Sequence, residues 1–192
     1  MNYHDIMTNN MDNGDGLRVI LWLSGCNHHC KGCHNPQTWD PNGGKLFDDE
    51  ALHKIEMELN KEYISGITFT GGDPLYPDNR EEVFNLILYL KEKYPNKTIW
   101  LYTGYTWDYI ISHILIPKDI FLNIDVLVEG KFIEEYRDTS LMWRGSYNQL
   151  VIDCKKTVKN NYFPISHIPF ENAIAKKYRS KEEMERVIKY IA

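Results

Sequence analysis

The fold is decided around one stretch, RVILWLSGCNHHCKGCHN, at residues 18–35. Its first part, from Arg18 to Leu23, is a short and mostly apolar run that stops at Ser24-Gly25, which is the pattern of a buried strand. Its second part is a loop with cysteines at positions 26, 30 and 33, a C-x3-C-x2-C spacing. A strand that leads directly into such a loop predicts a functional site at its carboxyl end.

Strand-like and helix-like segments alternate along the chain on both sides of this loop. We predict strands at residues 18–23, 66–70, 98–102, 124–128 and 149–152, and helices at residues 48–62, 79–94, 107–115 and 181–191. This order predicts βαβ units and an α/β fold with parallel strands. A complete eight-stranded barrel of about 250 residues would be cramped, so we expect an incomplete, open βα barrel. Residues 8–16, rich in Asn, Asp and Gly, predict an irregular lead-in loop.

Composition and charge exclude several functional classes. The chain has 192 residues, of which 43% are hydrophobic and 26% charged, as expected for one globular domain with its own core. The net charge of -5 argues against a surface that neutralises phosphates. No apolar run approaches the roughly 20 residues of a spanning helix, and the start lacks the layout of a secretory signal. We therefore predict a cytoplasmic protein without nucleic-acid or membrane partners.

The end of the chain is basic. Residues 155–192 contain nine Lys and Arg against four Glu, a local charge of +5, whereas the preceding part is acidic. We expect residues 1–154 to form the domain. Residues 155–192 are expected to be a basic C-terminal extension packed on it, with a helix near its end, and we favour a solvated helix over a patch that docks a partner.

The three clustered cysteines predict metal or redox chemistry, because disulfide frameworks are unusual in cytosolic chains of this size. Three thiolates can hold three irons of a 4Fe-4S cluster and leave the fourth iron open to a ligand that is not protein. Structural zinc, with a histidine or Cys154 as fourth ligand, and a dithiol at Cys30 and Cys33 remain alternatives. We expect Cys154 to be a buried small hydrophobe, and His28 and His29 to be exposed loop residues.

A second unusual loop, Gly71-Gly72-Asp73-Pro74, follows the predicted strand at residues 66–70. By itself, this tetrapeptide is also an ordinary turn sequence. The carboxyl ends of parallel strands share one edge of a sheet, so we expect this turn and the cysteine loop to face each other.

The C-x3-C-x2-C loop after the first predicted strand resembles the cysteine motif of the radical S-adenosylmethionine (radical SAM) superfamily. Flanking residues resemble the glycyl-radical-enzyme activases within it: Gly14-Asp15-Gly16-Leu17-Arg18, Cys33-His34-Asn35 and Thr70-Gly71-Gly72-Asp73-Pro74-Leu75. Three later blocks resemble one branch, which activates the anaerobic (class III) ribonucleoside-triphosphate reductase: YTGY at 102–105, DVLVEGKF at 125–132 and WRGSYNQ at 143–149. The likeness runs from about Tyr3 to about Ile152.

The resemblance implies an enzyme, a radical SAM oxidoreductase that acts on another protein. Cys26, Cys30 and Cys33 would ligate the 4Fe-4S cluster, and S-adenosyl-L-methionine would chelate the open iron. An external low-potential electron donor would drive reductive cleavage of S-adenosyl-L-methionine. The radical so formed would abstract a hydrogen atom from a glycine of the anaerobic reductase, the implied partner.

The same resemblance implies the contacts of the cofactor. Gly71, Gly72 and Asp73 would bind its methionine end, through close backbone approach and through either the carboxylate or local carbonyls. Because Gly32 stands where the superfamily often has an aromatic residue, adenine contacts would fall to the backbone of Gly32 and Cys33 and to the His34 ring. Asp125, together with Glu129, could bind the ribose hydroxyls.

Two other functions stay open at this point. One is an activase of a different glycyl-radical enzyme such as pyruvate formate-lyase. The other is a non-catalytic, zinc-stabilised binding module.

Overall fold

The computed structural model describes residues 1–114 and 116–159, which form two compact units. The first unit comprises Met1–His29 and His34–Tyr102, and the second comprises Cys30–Cys33 and the chain from Thr103 onward. Leu115, the predicted helix at 181–191 and all but the first residues of the basic extension lie outside the described residues. No described helix has both the length and the apolar character needed to cross a membrane.

The first unit contains a mixed sheet with a parallel centre. Its strands are β1 (Asn2–Asn10), β2 (Leu17–Leu23), β3 (Lys45–Leu46), β4 (Ile64–Gly71) and β5 (Thr98–Tyr102), in the order β3-β1-β2-β4-β5. Strand β2 is parallel to β4, and β4 is parallel to β5. The predicted strands at 18–23, 66–70 and 98–102 are therefore confirmed, as is an α/β fold with parallel strands.

Two amphipathic helices connect the parallel strands. They are α1 (Asp49–Leu59) and α2 (Pro77–Lys93). Asp48 caps α1, because its Oδ1 accepts a hydrogen bond from the Ala51 N–H at 3.0 Å. Each helix buries one apolar stripe, formed by Ala51, Ile55 and Leu59 in α1 and by Val83, Leu86, Ile87 and Leu90 in α2. Both predicted helices are confirmed to within a few residues.

Strand β1 extends to Asn10, so the irregular loop predicted at residues 8–16 is wrong for residues 8–10. Burial alternates over residues 5–10, but Ile6 is the only buried residue of β1 and residues 8–10 are all polar, so the sequence there lacks the apolar–polar alternation that marks a half-buried strand. The strand is held instead by antiparallel pairing with β2 and with β3. The pairing has register shifts, one of them between Met7 and Asn10. Backbone pairing of this kind leaves no periodic signal in the sequence.

The second unit contains an antiparallel strand pair, β6 (Val126–Glu129) and β7 (Leu150–Asp153). Both predicted strands exist, but the prediction of parallel strands is wrong for this pair. The connection between them holds only a short 3-10 helix, Glu134–Tyr136, in place of the crossover helix that parallel neighbours need.

The described part of the second unit also contains short helices: α3 (Trp107–Tyr109), α4 (Lys118–Asn123) and α5 (Cys154–Lys159). The helix predicted at 107–115 is α-helical for one turn and continues as a π-helix at Ile110–Ile114. The β-branched residues Ile110 and Ile111 lower the preference for a regular α-helix there. Trp107 and Phe121 pack edge to face at 5.4 Å between ring centroids in the core of this unit.

Candidate functional site

The cysteine loop leaves the carboxyl end of β2 beside the turn that follows β4. The Gly72 N–H donates to the Leu23 carbonyl oxygen at 2.8 Å, and the Asp73 N–H donates to that of Gly25 at 2.8 Å. Two backbone hydrogen bonds therefore join the Gly71–Asp73 turn to the start of the cysteine loop. The prediction that these loops face each other is confirmed for the residues of the first unit.

Glycine is required at two of these contacts. A Cβ at Gly72 would lie 2.5 Å from the Gly25 carbonyl oxygen. Gly25 has a φ of +94°, and a Cβ there would lie 2.9 Å from the Tyr76 ring. A side chain at Gly72 would push the two loops apart, and one at Gly25 would displace the Tyr76 ring.

A buried side-chain pair also connects the two loops. His28 Nε2 lies 2.6 Å from Asp73 Oδ2, and the two side chains are only 6% and 1% exposed. The expectation that His28 is an exposed loop residue is therefore wrong. His29 is exposed, as expected, and its ring lies edge-on to Trp39 at 4.8 Å between centroids.

Backbone contacts hold Cys26 at the start of the loop. The Gly25 N–H donates to the Thr38 carbonyl oxygen at 2.8 Å, and the Cys26 N–H donates to that of Trp39 at 3.1 Å. The loop thus folds back on the segment that follows it. His34, the residue predicted to contact adenine, is exposed.

The segment Cys30–Cys33 belongs to the second unit, where it forms a tight turn. The Cys33 N–H donates to the Cys30 carbonyl oxygen at 3.1 Å. Burial raises the pKa of the Cys30 thiol, and a hydrogen bond from the Phe132 N–H and the charge of Lys131 oppose that shift. Both opposing groups favour the thiolate, which is the form that binds metals.

The 3-10 helix Glu134–Tyr136 contacts the same turn, which the sequence did not predict. Lys31 Nζ lies 3.0 Å from Glu134 Oε2 and 3.8 Å from Glu135 Oε1. Gly32 has a φ of +71°, and a Cβ there would lie 2.9 Å from Glu134 Oε1. The opposite charges of Lys31 and Glu134 are the only feature of the sequence that could have predicted this contact. Charge alone does not identify which distant segments of a chain meet.

The two acidic residues considered for ribose binding have protein partners. The Asp125 side chain is 12% exposed, and its Oδ1 lies 2.5 Å from Lys155 Nζ. Glu129 is 2% exposed, and its Oε2 accepts a hydrogen bond from the Trp107 N–H at 2.8 Å. Glu129 therefore stabilises the start of α3.

The four cysteines fall into two environments. Cys26, Cys30 and Cys33 are partly exposed, whereas Cys154 is buried. Burial also raises the pKa of Cys154 well above its ordinary value, so its thiol is a poor metal ligand and the prediction of a buried small hydrophobe is confirmed. Three accessible soft donors in one loop fit iron and sulfide chemistry.

Within residues 1–114 and 116–159, no three His, Cys, Asp or Glu side chains converge on a position for one metal ion. Each cysteine of a 4Fe-4S cluster binds a different iron, so cluster binding does not require such convergence.

Comparisons with known proteins agree with this donor set. Residues 12–152 match the family described as a 4Fe-4S single cluster domain, so the match ends at the residue where the sequence resemblance also ends. A protein of Enterobacteria phage T4 is 43% identical over 149 residues, which are 78% of this chain and 92% of that relative.

Two bacterial relatives give the same result. Those of Haemophilus influenzae and Escherichia coli K12 are 41% and 40% identical over 153 residues, 79% of this chain and 97% of each relative. All three relatives are named anaerobic ribonucleoside-triphosphate reductase-activating protein. The chain therefore belongs to the family of anaerobic ribonucleoside-triphosphate reductase-activating proteins, with a 4Fe-4S single cluster domain at residues 12–152.

Proposed function

We propose that this chain is a radical SAM activating enzyme. It cleaves S-adenosyl-L-methionine reductively at a 4Fe-4S cluster and generates a glycyl radical in an anaerobic ribonucleoside-triphosphate reductase. The observation that carries this proposal is the C-x3-C-x2-C loop at the carboxyl end of β2, hydrogen-bonded to the Gly71–Asp73 turn. The names of the relatives and the 4Fe-4S family match support it.

Cys26, Cys30 and Cys33 would each hold one iron of the cluster. When bound, the cluster would supply one electron to the sulfonium of S-adenosyl-L-methionine, so that the S–C5′ bond would break to give methionine and a 5′-deoxyadenosyl radical, and this radical would take a hydrogen atom from the glycine and leave as 5′-deoxyadenosine. The N–H of Phe132 and the charge of Lys131 stabilise the thiolate of Cys30. Hydrogen bonds to a ligating sulfur also help to set the potential of a cluster.

The remaining proposed contacts orient the cofactor. Gly71 and Gly72 are partly exposed and can bring backbone close to its methionine end. The backbone of Gly32 and Cys33 and the exposed ring of His34 would contact adenine. Asp125 would contact the ribose hydroxyls, and its ion pair with Lys155 would then have to rearrange.

The fold and the partners follow the same proposal. We infer that the parallel strands β2, β4 and β5 belong to the open βα barrel of the radical SAM superfamily. The substrate is then a protein, the reductase, and an external low-potential donor supplies the electron. Residues 1–154 would form the catalytic domain, with the basic extension after them.

The proposal is tested on protein purified without oxygen. Iron, sulfide and zinc are determined, and the protein is then reduced with S-adenosyl-L-methionine and assayed for 5′-deoxyadenosine. We expect about four irons per chain, as a 4Fe-4S cluster requires, and cleavage that depends on Cys30. Stoichiometric zinc without cleavage, after attempted cluster reconstitution, would leave a metal-stabilised binding module instead.

The partner is tested in the same preparation. We expect a glycyl radical signal by electron paramagnetic resonance when the anaerobic reductase is added, and none with pyruvate formate-lyase. The reverse result would assign the chain to a different glycyl-radical enzyme.

A further inference from the structure

His28 and Asp73 form an enclosed side-chain contact between the two loops of the first unit. The two residues lie 45 positions apart in the chain, one after β2 and the other after β4. Their side chains meet at 2.6 Å with almost no exposure to solvent. A carboxylate only accepts hydrogen bonds, so the imidazole Nε2–H is the donor.

Every polar group of Asp73 is engaged within the protein. Its Oδ1 accepts a hydrogen bond from the Leu75 N–H at 2.8 Å, and its Oδ2 contacts His28. Its own N–H donates to Gly25, and its carbonyl oxygen accepts from the Tyr76 N–H at 2.9 Å. Both carboxylate oxygens are thus held by the protein, and with the side chain 1% exposed a ligand would have to displace this packing to reach them.

The neighbouring glycines differ from Asp73 in their exposure. Gly71 and Gly72 are partly exposed, whereas the Asp73 side chain is 1% exposed. Solvent therefore reaches the backbone of the two glycines, whereas the Asp73 carboxylate is buried in the protein.

The loop conformation around His28 also needs a stabilising contact. The next residue, His29, has a φ of 45°, in the left-handed region that residues other than glycine seldom adopt. His28 lies midway between Cys26 and Cys30, so its contact with Asp73 restricts the backbone that carries the first cysteine.

We propose that His28 is a positioning residue that holds the Asp73 carboxylate and thereby fixes the cysteine loop against the Gly71–Asp73 turn. The backbone of Gly71 and Gly72, and not the Asp73 carboxylate, then meets the methionine end of S-adenosyl-L-methionine. This inference rests on the proposed function.

The test compares His28→Ala and His28→Gln with the matched control His29→Asn in the full chain. Glutamine places an amide N–H near the position of the imidazole Nε2–H, and asparagine tolerates the left-handed backbone at position 29. Iron and sulfide are measured first. S-adenosyl-L-methionine is then titrated against the reduced cluster, with its electron paramagnetic resonance spectrum as the readout.

We expect His28→Ala to keep its iron but to need about tenfold more S-adenosyl-L-methionine for half-saturation, the size expected for a lost hydrogen bond to a charged group. Cleavage at saturation should change less. His28→Gln and His29→Asn should resemble the wild type. If His28→Ala does not fold, His28→Asn, whose side chain is too short to reach Asp73, replaces it.

A second measurement needs no cofactor. Lys31 follows in the same loop and its side chain is 80% exposed, so trypsin cleavage after Lys31 reports the order of the loop in the apoprotein. We expect several-fold faster cleavage in His28→Ala and an unchanged rate in His29→Asn.

Three results would overturn the inference. The first is a His28→Ala variant whose S-adenosyl-L-methionine titration and trypsin cleavage rate equal those of the wild type. The second is a His28→Ala variant that loses iron in proportion to its loss of the electron paramagnetic resonance signal. The third is a His28→Gln variant as impaired as His28→Ala. If the wild type cleaves no S-adenosyl-L-methionine, the proposed function fails, and the trypsin comparison still decides whether His28 fixes the loop.

Discussion

The amino and carboxyl ends of the parallel strands in the first unit are held together in different ways. At the amino ends, the fully buried Arg18 donates to Thr68 Oγ1 at 2.8 Å and to the Ile67 carbonyl oxygen at 2.7 Å. At the carboxyl ends, β2 and β4 are joined through the glycine turn and the His28–Asp73 pair. One end uses a buried charge to connect strands, while the other keeps glycine backbone and the Cys26 thiol partly exposed.

The remaining contacts of Arg18 extend this network. Its guanidinium also donates to Thr98 Oγ1 at 2.8 Å and to the Asp15 carbonyl oxygen at 3.0 Å, and it lies 5.3 Å from the centroid of the Trp100 ring. One side chain thus connects β2, β4, β5 and the segment before β2. The comparison teaches that the buried polar contacts of Arg18 connect the strands at the amino end, whereas the residues proposed to bind ligand follow the carboxyl ends, as in other folds built from βα units.

The largest expected effect is in the cysteine loop. Cys30→Ala removes one proposed iron ligand, so we expect 5′-deoxyadenosine formation to fall to the level measured without protein. The urea midpoint of the apoprotein should stay near the wild-type value, because Cys30 is partly exposed. The matched control Cys154→Ala, at the buried thiol, should keep its iron and lose about 1 kcal/mol of stability. If Cys30→Ala kept its full iron content and still cleaved S-adenosyl-L-methionine, the cysteine loop would not be the site of the proposed chemistry.

The next effect is at the amino end. Arg18→Ala removes the donor to the carbonyl oxygens of Ile67 and Thr98, which accept at 2.7 and 3.0 Å, and opens a cavity, so we expect a loss of about 3–5 kcal/mol in the free energy of unfolding. Arg18→Lys keeps the charge but not the planar fork, and should be intermediate. Urea denaturation of the apoprotein measures both. A variant that lost cleavage but not stability would place function at the amino end.

Gly72→Ala tests whether the two loops must touch. Its Cβ would lie 2.5 Å from the Gly25 carbonyl oxygen, so the turn must move away from the cysteine loop. We expect a loss of about 1–3 kcal/mol, the usual cost of overpacking. The S-adenosyl-L-methionine concentration for half-saturation should also rise. Unchanged titration with lowered stability would show that the contact serves the fold alone.

The smallest effect concerns Tyr102, the last residue of β5. Its hydroxyl is buried without a hydrogen-bond partner among the described residues, so Tyr102→Phe should be neutral or stabilise the protein by up to about 1 kcal/mol. Urea denaturation at pH 7 checks this sign. A clear loss of stability would mean that the hydroxyl has a partner.

The same variant has a pH signature. Burial raises the pKa of Tyr102, so the unfolded chain loses this proton first and the free energy of unfolding falls as the pH rises above about 10. The phenylalanine variant should lose less stability between pH 9 and pH 11, a range chosen around the ordinary tyrosine pKa of about 10. Some dependence should remain, because burial also raises the pKa of Tyr94.

Local patterns in the sequence were sufficient for most of the first unit. The run at 18–23, the capping residue Asp48 and the apolar stripes of α1 and α2 depend on neighbours within a few residues, so they could be predicted. The C-x3-C-x2-C spacing and the turn at 71–74 were visible for the same reason. Strand β1 and the antiparallel β6–β7 pair were not, because strand pairing and direction depend on distant partners.

The sequence by itself determined the spacing of the three cysteines, the order of the strands and helices in the parallel part of the sheet, and the resemblance to the family, since each depends on contiguous or closely spaced residues. Only the tertiary structure decided that His28 is buried against Asp73, that Glu134 lies against Gly32, and that Arg18 connects three strands. The physical reason is that these contacts join segments far apart in the chain. Their energy depends on burial and on hydrogen-bond geometry, which exist only after the strands have paired.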